Sequence, residues 1–470
     1  MKEAKQRTGR KRTMRIGGLC MAALAVVFAL ILFLPGRKAA AQDGSFAGKG
    51  TAEDPFLIED VADLQALQAR VNGGDPCKDV YFLLVNNLDL SEVCGENIGS
   101  WVPIGNKNHS FEGSFSGELK EISGLYINEN EGETIGLFGV NEGQIERLSV
   151  SGSVSGKDFV GGIAGENLGR IQGCSSSVSV SGNDTVGGIA GYNGGQINNC
   201  YNGGSVTGAD QVGGIAGESG DDITFCTNAA NISGDKYVGG IAGISNAEIQ
   251  DCLNNGGYTV EAAGNCAGGI AGCASASIER CTNKAKVLTG TDVAGGIAGL
   301  CNEADISFCV NEGDVNGGKD RTGGIVGECH GNNNGVDCNI SYCTNNGTVS
   351  GVNSYVGGIV GDGLYCSLKE CINRGVVAGS GYVGGIAGQF KNYGSLDYAT
   401  NHGTVTGTTS TGGIVGSSDN SGDIKNCFND GTVSGKIMSG GIAGMVVLSV
   451  KQQDGSYEIN NIEIARTRAR

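Results

Sequence analysis

The chain has 470 residues, among them 86 glycines, 4 prolines and 18 cysteines, with a formal net charge of −17. Glycine far above the roughly 7% average, without a Gly-X-Y period, excludes collagen and points to repeated tight turns rather than an ordinary mixed core. The acidic balance argues against nucleic acid as a partner, because such a surface repels phosphate.

Lys2, Lys5, Arg7, Arg10, Lys11, Arg12 and Arg15 precede an uncharged apolar run from Ile16 to Leu34, and Ala39-Ala40-Ala41 follows it. Residues 1–41 therefore read as a secretory signal cut near Ala41, or as an uncleaved membrane tether, since about 19 apolar residues also span a bilayer. Either reading exports the remainder to the cell surface or beyond. Nine of the 32 basic residues and one of the 49 acidic ones lie in 1–41, which leaves the rest at −25.

Residues 42–135 read as an N-terminal cap with the first irregular coils. Asp60 is placed to cap a short helix that carries Val61, Leu64, Leu67 and Val71 on one face. Strand-like runs follow at Val80–Val85 and Trp101–Ile104, then a Phe111/Phe115 pair. Cys77 and Cys94 are candidates for a disulfide in an exported protein.

Residues 136–445 are an array. The motif Gly-Gly-Ile-(Ala/Val)-Gly recurs at Ile163, Ile189, Ile215, Ile241, Ile270, Ile297, Ile325, Ile359, Ile386, Ile414 and Ile442, after a degenerate copy at Gly136-Leu137-Phe138-Gly139. Most spacings are 26–29 residues, with one of 34. One period buries too few apolar side chains to hold itself together, whereas stacked periods bury a continuous core. The expectation is an all-β, right-handed parallel β-helix of about 12 coils with three short strands each, about 55 Å long before its caps. Its Gly-Gly pairs would serve corners that need positive φ or close backbone approach. Residues 446–470 read as a cap hairpin around Asp454-Gly455 and a basic tail.

Two columns of identical residues are expected to stack. Cys174, Cys200, Cys226, Cys252, Cys281, Cys309, Cys343, Cys371 and Cys427 share one coil position, with Ala399 as the exception. Parallel side chains on stacked strands suit disulfides poorly, and alanine as the substitute suits small buried hydrophobes. Two residues further on stand Asn202, Asn228, Asn254, Asn283, Asn311, Asn345, Asn373, Asn401 and Asn429, placed to bond amide to amide along the axis. Turn-forming asparagine without a ladder is the alternative.

The coil between Ile325 and Ile359 is the longest, and its insertion holds Cys329, His330, Asp337 and Cys338. This is the candidate binding loop, because insertions in solenoids gather on one face. A disulfide from Cys329 to Cys338 or to Cys301 is the bland reading, and zinc or an activated thiol the sharp one. Elsewhere the three histidines form no His-Glu-x-x-His arrangement, and carboxylates such as Asp320 with Glu328 do not recur at one coil position. No catalytic residue, metal set or cofactor is assigned.

Gly-Leu-Phe-Gly and Gly-Ile-Ala-Gly, with the lead-in Gly50-Thr51-Ala52-Glu53-Asp54-Pro55-Phe56-Leu57-Ile58, Asn87-Leu88-Asp89-Leu90, Trp101-Val102-Pro103-Ile104-Gly105 and Phe111–Gly117, resemble the GLUG-motif repeats of bacterial cell-surface proteins. The resemblance covers roughly residues 48–444 and implies an exported, adhesin-like or scaffolding β-solenoid. Immunoglobulin-A-specific metallopeptidases carry similar repeats beside a catalytic domain, so the resemblance transfers no catalytic residues. The resulting expectation is a non-catalytic surface protein with a host or cell-wall glycan, or a surface protein, as partner. A carbohydrate-active β-helix enzyme and an inert stalk are the rivals.

Overall fold

The computed structural model describes residues 46–332, 338–353, 355–391, 394–419 and 424–447, with short paired segments at 450–451, 457–458 and 468–469. Residues 1–41 lie outside these, and among the described residues no helix is long and apolar enough to cross a membrane. The chain is a parallel β-solenoid of about fourteen turns.

The coil around Ile215 shows the plan. Its strands are Asp210–Gly213, Ala216–Ser219, Ile223–Thr224, Thr227–Asn228 and Ile232–Gly234. There are five where the sequence predicted three, because the Gly-Gly motif supplies two arms and the positive-φ corner at Phe225 breaks the segment from Ile223 to Asn228 into two strands. The first two strands build separate 12-stranded sheets, the third a 14-stranded sheet, and the last two share a fourth face. All pair in parallel and in register, as Val212 with Val238 and Ala216 with Ala242.

The motif isoleucines from Ile163 to Ile414 are fully buried in one column. Each is worth about 1.5–3 kcal/mol of burial, realised only when coils stack. The glycine pairs are required by space, not by dihedral angle. A Cβ on Gly239 would lie 1.8 Å from Ala242 O, and one on Gly240 would lie 2.2 Å from Gly269 O. Neither takes positive φ.

The N-terminal region contributes turns of its own, since Phe56–Ile58, Tyr81–Leu84 and Ser114–Ser116 open the 14-stranded sheet. Helix α1, Val61–Asn72, covers that end, with Asp60 accepting from Asp63 N and Leu64, Leu67 and Val71 buried. The Trp101–Ile104 run makes a lone bridge, Ile104 to Phe138, instead of a strand. Phe46, Phe56, Phe82, Phe111, Phe115 and Phe138 fill these turns with ring centroids 5.3–6.2 Å apart. Cys77 and Cys94 are buried and not joined in a disulfide; Cys77 Sγ donates to Asp75 O, and Cys94 Sγ to Leu90 O and Gly124 O. At the other end Val450–Lys451 pairs antiparallel with Tyr457–Glu458.

Candidate functional site

The two sequence-predicted columns lie side by side inside the rod. Each asparagine donates from Nδ2 to Oδ1 of the next coil's asparagine, at 2.7–2.9 Å, without a break from Asn202 to Asn429. Its second Nδ2 proton commonly goes to the carbonyl two residues on, as Asn311 to Gly313 O at 2.8 Å. The column cysteines are free thiols, each buried and donating to backbone. Cys252 Sγ, for example, donates to Ile223 O at 3.6 Å and to Gln250 O at 3.3 Å. Burial pushes the Cys174, Cys226, Cys281 and Cys309 thiols up, and Cys427 to about 12, whereas at Cys200, Cys252 and Cys343 burial is outweighed by hydrogen bonds from the adjacent thiols, which hold them low.

A second polar column went unnoticed in the sequence. Asn141, Asn167 and Asn193 bond amide to amide at 2.8 Å, and Asn193 bonds Ser219 at 2.9 Å. The same register position continues through Ser245, Ala274, Cys301 and Cys329.

That column decides the fate of the insertion. In Val326–His330 alternate side chains face opposite ways, so Cys329 is buried while Glu328 and His330 face out. Cysteine and histidine therefore part company. Cys329 joins Cys301 and Cys338, with their three Sγ atoms within 4.8 Å of one another. Cys301 Sγ to Cys338 Sγ is 3.6 Å, and all three are free thiols, far beyond a disulfide's roughly 2.05 Å. The facing thiols of Cys301 and Cys329, helped by the Ala304 and Glu303 amides, hold Cys338 down at about 3. Asp337 lies outside the described residues.

His330 instead enters an outer cluster. Its Nε2 lies 2.6 Å from Glu328 Oε1. Arg321 Nε lies 3.1 Å from Glu328 Oε1 and 3.5 Å from Asp362 Oδ2, and Lys391 Nζ lies 3.6 Å from Asp362 Oδ2. Glu328, Asp362 and Gln389 occupy one register position on consecutive coils, and Arg321, Tyr355 and Tyr382 another. Tyr355 and Tyr382 stack on each other, with Lys391 Nζ 5.2 Å from the Tyr355 ring centroid. Asp362 and Gln389 are 6% and 8% exposed, yet Asp362 Oδ1 and Gln389 Oε1 have no hydrogen-bond partner. Arg321 Nε in the same cluster is likewise without a hydrogen-bond partner, so the patch holds a donor and two acceptors.

The two carboxylates are shifted in opposite directions. Burial pushes Asp362 above its ordinary range, against the pull of Lys391 and Arg321. Burial also works against charge on Glu328, but the His330 hydrogen bond and the Arg321 charge outweigh it and hold Glu328 low. The Glu328 hydrogen bond raises His330. The sequence reading set Glu328 and Asp320 aside as carboxylates that do not recur at one coil position; Glu328 does share its position with a carboxylate, Asp362 on the next coil. The signal was present: these six residues stand four before or three after a motif isoleucine.

The fold defines a parallel β-solenoid, and one stretch of it matches a known repeat motif. The family model for the GLUG motif matches residues 407–434, which make most of one coil. Among curated proteins, a Gly-rich membrane protein of Evansella cellulosilytica is 36% identical over 107 residues, covering 22% of this chain and 12% of that protein. Halomucin of Haloquadratum walsbyi is 31% identical over 131 residues, covering 26% of this chain and 1% of halomucin. The chain thus spans a small fraction of either relative. A solved structure described as an immunoglobulin A1 protease from Bacteroides ovatus is similar with TM-score 0.42 and 21% identity, over 58% of this chain and 78% of that one.

Proposed function

We propose that the chain is an exported, non-catalytic, adhesin-like surface protein that holds a glycan over the outer cluster of Arg321, Glu328, Tyr355, Asp362, Tyr382 and Gln389. The observation that carries this is the pair of unpartnered acceptors, Asp362 Oδ1 and Gln389 Oε1, beside two stacked tyrosines. Sugar hydroxyls supply the donors that the acceptors lack, and tyrosine combines apolar contact with a polar tip. A rigid rod of register-locked coils can display further weak contacts, such as the exposed Phe308–Tyr342 stack, and gain avidity. Support for a surface location comes from the names of the relatives, a membrane protein and a halomucin, and from the export signal read in residues 1–41. Residues 1–41 are the proposed secretory signal or, if uncleaved, a membrane tether.

The test is binding of the purified chain to a panel of bacterial and host polysaccharides, with Asp362→Asn and Gln389→Ala alongside. Retention of one polysaccharide class, weakened in both variants, supports the reading. Equal retention by the variants removes the cluster from it.

One observation favours a second reading, glycoside hydrolysis. Glu328 and Asp362 stand at one register position on consecutive coils and both approach the same Arg321 nitrogen, and a pair of neighbouring carboxylates is what glycoside hydrolysis requires. Reducing-end release from the same panel, abolished by Glu328→Gln and by Asp362→Asn, would replace the non-catalytic reading.

A further inference from the structure

Four cysteines leave the pattern of the buried thiol ladder. Ladder sulfurs run in single file, each against the next rung's thiol and backbone carbonyls, whereas Cys301, Cys329 and Cys338 converge with all three Sγ atoms within 4.8 Å of one another. Cys366 is the register neighbour of Cys338 on the following coil, and its thiol is hydrogen-bonded with that of Cys329. Three consecutive coils thus send four thiols to one corner, where the Gly-Gly arm turns into the 14-stranded sheet. All four are fully buried.

We propose that Cys301, Cys329, Cys338 and Cys366 form a site for a thiophilic divalent cation of the zinc class, enclosed within the rod. A four-thiolate zinc with Zn–S near 2.3 Å has sulfur–sulfur edges of about 3.8 Å, which the 3.6 Å Cys301–Cys338 separation approaches and a disulfide does not. Cys301, Cys329 and Cys338 already converge within 4.8 Å, and Cys366, outside that trio, is the fourth ligand that binding would draw in. The register pairs Cys301–Cys329 and Cys338–Cys366 sit on adjacent parallel strands, a geometry that brings sulfurs near each other without aiming them for bonding. Ala304 lies beside the site in its own turn. On the far side Phe390 follows Gly363 in the Cys329 column and fills the space that Gly363 leaves. This apolar wall keeps water from competing for the ion. Binding displaces the thiol protons to solvent, and the ion ties the long coil to both neighbours. His330 takes no part, because it faces the opposite side of its strand.

The experiment is a Co²⁺ titration of the full chain, purified anaerobically under reduction, followed by Zn²⁺ displacement. Thiolate-to-cobalt charge-transfer absorption that saturates at one equivalent and is bleached by Zn²⁺ is the expected result. Cys338→Ser and Cys366→Ser should each lose the absorption, while Cys226→Ala, a ladder thiol of equal burial, should retain it. The wild-type titration stands as a readout even if a serine variant fails to fold. Absence of the absorption, its loss in Cys226→Ala as well, or a Cys301–Cys338 disulfide in the chain isolated from exporting cells would overturn the proposal.

Discussion

Tyr355 and Tyr382 stack across consecutive coils with ring centroids 5.6 Å apart and planes 8° apart. Each follows from the same offset to a motif isoleucine, so the backbone fixes the pair before any ligand arrives. A prearranged aromatic pair costs a ligand little ordering entropy.

Tyr382→Ala should therefore weaken glycan binding about ten-fold, since an aromatic contact is worth about 0.5–1.5 kcal/mol beyond its area and about 1.4 kcal/mol is a factor of ten. The fold should be unaffected, because Tyr382 is only partly buried. Affinity electrophoresis against the retained polysaccharide, with circular dichroism as the fold control, checks it. Unchanged mobility retardation would take the tyrosines out of the site.

The His330–Glu328 pair predicts a pH signature. His330 is raised from its ordinary 6.5, so its contribution is complete below that value and disappears as pH rises through the raised one. Glu328 is lowered from 4.5, so its contribution is complete above that value and disappears as pH falls through the lowered one. The pair stabilises most between about pH 4.5 and 6.5. His330→Gln should lower Tm in that window and match wild type near pH 9. Both groups are partly solvated, so the difference should be small and should shrink in salt. A gap that persists at high pH would assign His330 a packing role.

How much of this could be read from the chain depends on whether a residue repeats. The isoleucine, cysteine and asparagine columns repeat at nearly every coil, and a period shows them. The outer cluster is the reverse case: its positions hold Val293 and Leu300 in one coil, Arg321 and Glu328 in the next, Tyr355 and Asp362 after that. A search for recurrence discards such positions, although the motif offset locates them. The neighbourhood of Cys329 and Cys301 was legible as a candidate disulfide between adjacent coils, but their place in a polar column was not. Their column begins as asparagine and changes identity along the rod, so Cys329 looked like part of a loop.

Asn254→Ala tests the internal ladder. The substitution removes the acceptor that Asn228 Nδ2 uses at 2.9 Å and the donor that reaches Asn283 Oδ1 at 2.9 Å. Asn228 keeps its bond to Ala230 O and Asn283 keeps one from Ala285 N, so the loss is partial at each neighbour. A buried donor stripped of one partner costs about 1–3 kcal/mol. Urea unfolding should show a midpoint shift of that size without a change in slope. Asn254→Asp should cost more, since it adds a buried charge that faces Asn283 Oδ1 with no donor.

The corner before each ladder cysteine holds the last prediction. Asn199, Phe225, Asp251, Arg280, Phe308, Tyr342, Glu370, Tyr398 and Asn426 all take positive φ there, and only Gly173 in this column is glycine. Bulky residues in this conformation cost about 1–2 kcal/mol each, and nothing in their type announces the turn. Phe225 has φ of 55° and is 57% exposed, so its side chain repays little of that cost by burial. Phe225→Gly relieves the strain but loosens the unfolded chain, for a net gain of about 0.5–1 kcal/mol. Phe225→Ala keeps the strain and loses the ring, so it should fall below wild type. The discriminating measurement is the order of urea midpoints, Gly above wild type above Ala. Ala equal to or above Gly would mean that the corner does not strain its side chain, and that the exposed aromatics are held there by their own contacts.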